Sequence, residues 1–239
     1  MKKLRIFAVL LLTFSMLWTP VLAEGLSGIT RIEDQVVPQG EHAVLNQSVT
    51  ATTNELGQIV FPFNKKAELI QVTATTGTIL SMPEKTELGD LSYYTMSFQE
   101  KETEVSVVAS FRLEGQYVGE EADLGETLPN DVIEVGYKFR NTTPVDIAAY
   151  QLKMGVPAER ELLNIVDFSD KKPFSIETTD GQVFGGFDFA EVKSGKEVKF
   201  AMNLFRRNPI HGTVIVVLGL VLSAAFMWKN RDLLQKQAA

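Results

Sequence analysis

The chain has 239 residues, 45% of them apolar, with no cysteine and a formal net charge of −7. Zero cysteine excludes disulfides, thiolate metal sites and thiol redox chemistry. The acidic balance excludes nucleic-acid binding through an overall field, and the apolar fraction is too high for general disorder.

In chain order, Lys2, Lys3 and Arg5 precede a twelve-residue apolar run over 6–17. Pro20 follows, and Val21-Leu22-Ala23 supplies small residues at the positions a signal peptidase reads. This pattern predicts a signal peptide over 1–23, cut between Ala23 and Glu24. Residues 24–209 hold 17 Lys and Arg against 29 Asp and Glu, a net −12, so the exported body is acidic. Within it, strands are expected near 29–37, 43–50, 59–63, 69–74, 93–98 and 104–113. The last is the clearest, with Val105, Val107, Ala109, Phe111 and Leu113 alternating with Ser106, Ser110 and Arg112. Turn chemistry at Asn54-Glu55-Leu56-Gly57, Thr76-Gly77 and Gly89-Asp90 separates them. The reading is an antiparallel β-sandwich domain over 24–114.

Residues 115–131 change character, interleaving Gly115, Gly119 and Gly125 with Glu120, Glu121, Asp123 and Glu126. This segment reads as an acidic linker or loop. A calcium loop would need alternating Asp and Asn ligands, which are missing here. A second, Ig-like sandwich domain is expected over 132–205. Ile133, Val135, Tyr137 and Phe139 face one way, Glu134, Lys138 and Arg140 the other. Further strands are expected through Tyr150, Leu152 and Met154, over 162–166, and through Val198, Phe200, Met202 and Leu204. Thr179-Asp180-Gly181-Gln182 is a hairpin signal, with 183–189 as the return arm.

Residues 210–228 contain one histidine and no formal charge. Asn208-Pro209 is a helix-start pair, Trp228 sits where an indole prefers the membrane interface, and Lys229, Arg231 and Lys236 follow. The expectation is a transmembrane helix over 209–228 and a cytoplasmic tail over 229–239. Gly212, Val216, Gly219 and Ser223 share one face of that helix, a stripe that would let another helix approach closely.

The fold class expected is therefore mainly β: two antiparallel β-sandwich (Ig-like) domains followed by a single C-terminal transmembrane helix. The stretch 132–156, with its turn Arg140-Asn141-Thr142-Thr143-Pro144 and the step Val156-Pro157, resembles the Ig-like repeat domains of bacterial and archaeal surface proteins. Residues 52–61 are similar to a turn of carboxypeptidase-regulatory-like domains. Both resemblances imply noncatalytic sandwich modules and supply no active residues.

The chemistry-bearing residues agree with that implication. His211 stands at the membrane edge and His42 in the stretch Pro38-Gln39-Gly40-Glu41-His42. No G-x-S-x-G, HExxH or Walker pattern occurs. Four methionines, Met82, Met96, Met154 and Met202, are scattered as core fillers would be. Two Asn-x-Ser/Thr triplets, at Asn46 and Asn141, read as turn polar residues. No catalytic residue, cofactor or metal is expected. The function expected is a single-pass, membrane-anchored extracytoplasmic protein, not an enzyme. It would act as an accessory, scaffold or protein-interaction subunit of a cell-envelope complex. Its partners would be the lipid bilayer and another membrane protein met through the helix and the membrane-proximal domain, not nucleic acid. The alternatives are a ligand-binding or adhesive module for carbohydrate or cell wall, and a hydrolase built on two carboxylates.

Overall fold

The computed structural model describes residues 25, 28–121, 132–168, 173–206 and 209–229. The signal segment with Ala23 and Glu24, most of the acidic linker and the tail after Lys229 lie outside the described residues.

The chain opens with a long hairpin, β1 (Ile29–Gln39) and β2 (His42–Thr52), turning at Gly40 and Glu41. Strands β3 (Gln58–Pro62) and β4 (Ala67–Thr76) follow, then the hairpin β5 (Glu84–Leu88) and β6 (Leu91–Ser97), and then β7 (Glu104–Leu113). After the short β8 (Glu120–Glu121) come β9 (Val132–Arg140), β10 (Tyr150–Gly155) and β11 (Arg160–Phe168). The hairpin β12 (Phe174–Thr179) and β13 (Gln182–Phe189), then β14 (Glu197–Arg206), complete the β body, and α1 (Pro209–Lys229) ends the described chain. The expected hairpin at Asp180-Gly181 forms: both residues have positive φ, 52° and 79°, as a two-residue turn matched to strand twist requires.

The mainly β reading stands, but the two halves do not form separate sheets. A seven-stranded sheet runs β12-β13-β10-β1-β2-β7-β4, drawing strands from both sides of the expected linker. The join is a parallel pairing of β1 with β10, in which Asp34 faces Leu152 and Val36 faces Met154. The expectation of two purely antiparallel, self-contained sandwiches is corrected by this pairing. Sequence shows alternation within a strand, yet it does not show which distant strand supplies the neighbouring edge. Two smaller sheets, β11-β14-β9-β8 and β3-β6-β5, are built one from each half.

Both small sheets pack on one face of the large one. Phe139 of β9 stacks on Tyr150 of β10 at 4.1 Å between ring centroids, and Phe200 of β14 meets Phe187 of β13 at 5.6 Å. On the other side, Tyr94 of β6 meets Phe111 of β7 at 6.2 Å. One hydrophobic core therefore runs through both halves, from Leu45 and Phe111 to Phe187 and Phe200. The start of the expected linker joins it as well: Tyr117 is buried and donates its hydroxyl to the Gly155 carbonyl at 2.5 Å. The outer face of the large sheet keeps Glu33, Gln35, Asn46, Ser48 and Lys153 half-exposed, as a period of two demands.

The α1 helix is 21 residues long, about 31 Å at 1.5 Å per residue. None of its described side chains belongs to the core, and those from Val214 to Trp228 are exposed. Among the described residues no helix is long and apolar enough to cross a membrane.

Candidate functional site

The inward face of β1 reads Ile32, Asp34, Val36, and that of β2 reads Leu45, Gln47, Val49. A carboxylate and an amide thus interrupt two otherwise apolar stripes, and antiparallel register sets them directly opposite each other. Gln47 Nε2 donates to Asp34 Oδ1 at 2.8 Å. The hydroxyls of Tyr137, on β9, and Tyr150, on β10, donate to Asp34 Oδ2 at 2.9 and 3.0 Å. Asp34 is 1% exposed, and burial pushes its carboxyl up to about 6 despite the three donors, which pull the other way. Both tyrosine hydroxyls are raised well above their usual value, first by burial and then by the Asp34 charge. Gln47 Oε1 is buried and has no partner.

This cluster ties three strands of the large sheet to β9 and is closed to solvent. Two of its members, however, also line a cavity of about 210 Å³ that opens between the small sheets. Leu45, Gln47 and Phe111 form the floor on the large sheet, while Phe63, Tyr137 and Phe139 form apolar walls. Lys65, Lys138, Arg140 and Asp90 stand around it, three cations to one carboxylate on a body whose net charge is −12. The cleft is held at one end by Thr142, whose Oγ1 accepts from Phe63 N–H at 2.9 Å and lies 3.3 Å from the Phe63 carbonyl. Lys85 Nζ lies over the Phe63 ring, 4.9 Å from its centroid.

The singled-out sequence residues fall elsewhere. His42 begins β2, half-exposed, with Nδ1 accepting from Gly115 N–H at 3.1 Å beside Glu114. Asn141 does lie in a turn, fully buried, donating to the Val145 and Val192 carbonyls. Asn46, expected in a turn, is instead inside β2, where it accepts from Ser110 Oγ at 2.9 Å. Val216, Gly219 and Ser223 sit exposed on α1, and Gly212 is in the same helix with its surroundings outside the described residues. Among the described residues no group of three or more His, Cys, Asp or Glu is placed to hold a metal ion. The Asp34 cluster and the cleft were missed because no motif marks them. A usable signal was present in Asp34 itself, a charge at the inward position of an alternating strand.

No family model matches the chain, and no curated protein does. Solved structures align with it at very low identity. A two-domain M1 zinc metallopeptidase bound to L-arginine aligns at 10% identity and TM-score 0.42, over 74% of this chain and 42% of that one. Native leukotriene A4 hydrolase from Saccharomyces cerevisiae aligns at 9% identity and TM-score 0.47, over 77% of this chain and 32% of that one. An M1 zinc metallopeptidase from Deinococcus radiodurans aligns at 11% and TM-score 0.41, over 77% and 44%. This chain spans less than half the length of each of these proteins.

Proposed function

We propose that this is a membrane-tethered, extracytoplasmic β protein, noncatalytic, that serves as an accessory or protein-interaction subunit of a cell-envelope complex. The observation that carries the reading is α1. An apolar helix of 21 residues leaves the body two residues after β14, and none of its described side chains packs into the core; those from Val214 to Trp228 are exposed. An exposed apolar surface of that kind is costly in water and needs a cover. Its backbone length matches a hydrocarbon core of about 30 Å. The short connection keeps the β body near the bilayer, and a protein partner would then meet it at the membrane surface. The cell membrane is the location that follows, with the C-terminus in the cytoplasm.

The full-length product is expected to enter the detergent-rich phase on Triton X-114 partitioning, while a chain ending at Asn208 stays in the aqueous phase. Equal aqueous partitioning of both would sink the tether. The helix face has its own test. A Cβ at Gly219 would meet nothing within 4 Å beyond its own turn of helix, so Gly219→Ile is expected to leave the β body undisturbed. Loss of a co-purifying membrane protein in that variant is the expected result if small residues seat a partner helix. An unchanged, monodisperse monomer with both sequences removes the partner.

The second reading, a ligand-binding surface module, is favoured by the aromatic-walled cleft at Phe63 and Phe139.

A further inference from the structure

We propose that the cleft between β9 and the segment after β3 docks an extended, acidic peptide segment of a partner. The segment would add as a short strand to the free edge of β9 and seat one aromatic side chain in the cavity.

The edge comes first. On one side β9 pairs with β14 over its whole length, from Val132 to Arg140. On the other side, among the described residues, β8 covers Ile133 and Glu134. On that second side the Gly136 carbonyl accepts from Gln116 Nε2 at 2.8 Å. Backbone groups of alternate residues in an antiparallel strand point the same way, so Lys138 turns its N–H and C=O toward the cleft. Farther along, Thr142 is taken up by Phe63. Among the described residues the β9 edge is therefore capped by side chains at both ends and open at Lys138, a gap that suits one or two residues of an added strand.

The cavity supplies the side-chain pocket. About 210 Å³ between Phe63, Phe111 and Phe139 exceeds the roughly 150 Å³ that holds a benzene ring in an apolar cavity. Ring-on-ring contact with those walls favours an aromatic over an aliphatic occupant. Charge selects the rest of the segment. Lys65, Lys138 and Arg140 outnumber Asp90 at the rim, and a guanidinium accepts a carboxylate through two parallel hydrogen bonds. The inference goes beyond the membrane tether and does not depend on it, since the cleft and α1 share no residue.

The test uses full-length protein in mild detergent and a fluorescein-labelled heptapeptide of alternating Glu and Phe, read by anisotropy. Saturable binding is expected, weakened about tenfold or more when alternate peptide amides are N-methylated, because the pairing donor is lost while the side chains remain. A heptapeptide of alternating Lys and Phe should bind at least about tenfold more weakly, by like-charge repulsion from the rim. Lys138→Pro removes the outward N–H of an edge position together with one rim cation, so Lys138→Gln, which keeps the N–H, is its control; the proline variant should reduce binding of the parent peptide to the N-methylated level and the glutamine variant clearly less. Undiminished binding of the N-methylated peptide overturns strand addition, whatever the variant does. So does no saturation by about 1 mM, a bound state weaker than specific recognition uses. Full displacement by phenylacetate at the peptide's own affinity reassigns the cleft to a small aromatic acid.

Discussion

Asp34→Leu is expected to destabilise the fold by about 4 kcal/mol, read as a lowered urea midpoint with an unchanged slope. The shape change is small, so the cost comes from the donors left behind. Gln47 Nε2 and the hydroxyls of Tyr137 and Tyr150 all lose their acceptor in a site closed to water. Each orphaned buried donor costs about 1–3 kcal/mol, and the relief of not burying a carboxylate returns part of the sum. Adding Gln47→Leu, Tyr137→Phe and Tyr150→Phe to the same chain should recover a large share of the loss. No recovery would mean that packing, not hydrogen bonding, sets the cost.

The same carboxyl makes a separate pH prediction. Its folded value of about 6 lies above the ordinary 3.8. Below the lower value both folded and unfolded chains hold the proton, and the full contribution is present. Between about 4 and 6 only the folded chain holds it, so stability falls as pH rises, by roughly 3 kcal/mol in all, and is flat above. Asp34→Asn removes this fall. Subtracting variant from wild type across pH 4 to 7 isolates it from the other carboxylates, and a difference that does not change with pH would show that Asp34 keeps an ordinary value when folded. A protonated Asp34 also has an acceptor at hand. Turning the Gln47 amide over would bring the partnerless Oε1 to the carboxyl.

Gly186→Ala is expected to cost about 3 kcal/mol or more and to lower the yield of folded protein. Gly186 is in β13, opposite Lys153 of β10. A Cβ built there overlaps the backbone carbonyl oxygen of Leu152, and the Leu152 carbonyl carbon lies 2.9 Å away. A flexible side chain could swing aside, but a strand backbone in the middle of a sheet cannot. The neighbouring Gly185 is the control. Its Cβ would meet only the ends of Phe200 and Met202 side chains, at 3.3 Å and beyond, so Gly185→Ala should cost clearly less. Equal costs at 185 and 186 would show that glycine matters there through backbone freedom and not through the contact.

Much of the local structure was legible. The alternation in Val105–Leu113 and in Val198–Leu204 placed β7 and β14, and Asp180-Gly181 marked its hairpin, because these signals live within a few residues of one another. The short β5 was not expected. Glu84–Leu88 has little apolar character and is mostly exposed, held by its hairpin to β6. Lys138 and Arg140 read as the solvent face of a strand, and their exposure fits that. Their place beside Phe63, some 75 residues earlier, had no local sign.

By itself the sequence determined that the body is built of strands, that it is acidic and free of thiol chemistry, and that a long apolar helix follows the last strand. These properties follow from composition and from periods of two or 3.6 residues, which any single segment carries. Only the tertiary structure decided that the two halves share one sheet, that a buried carboxyl ties it to β9, and that a basic cleft opens beside it. Those depend on which strand edges meet, and pairing energies depend on partners far apart in the chain.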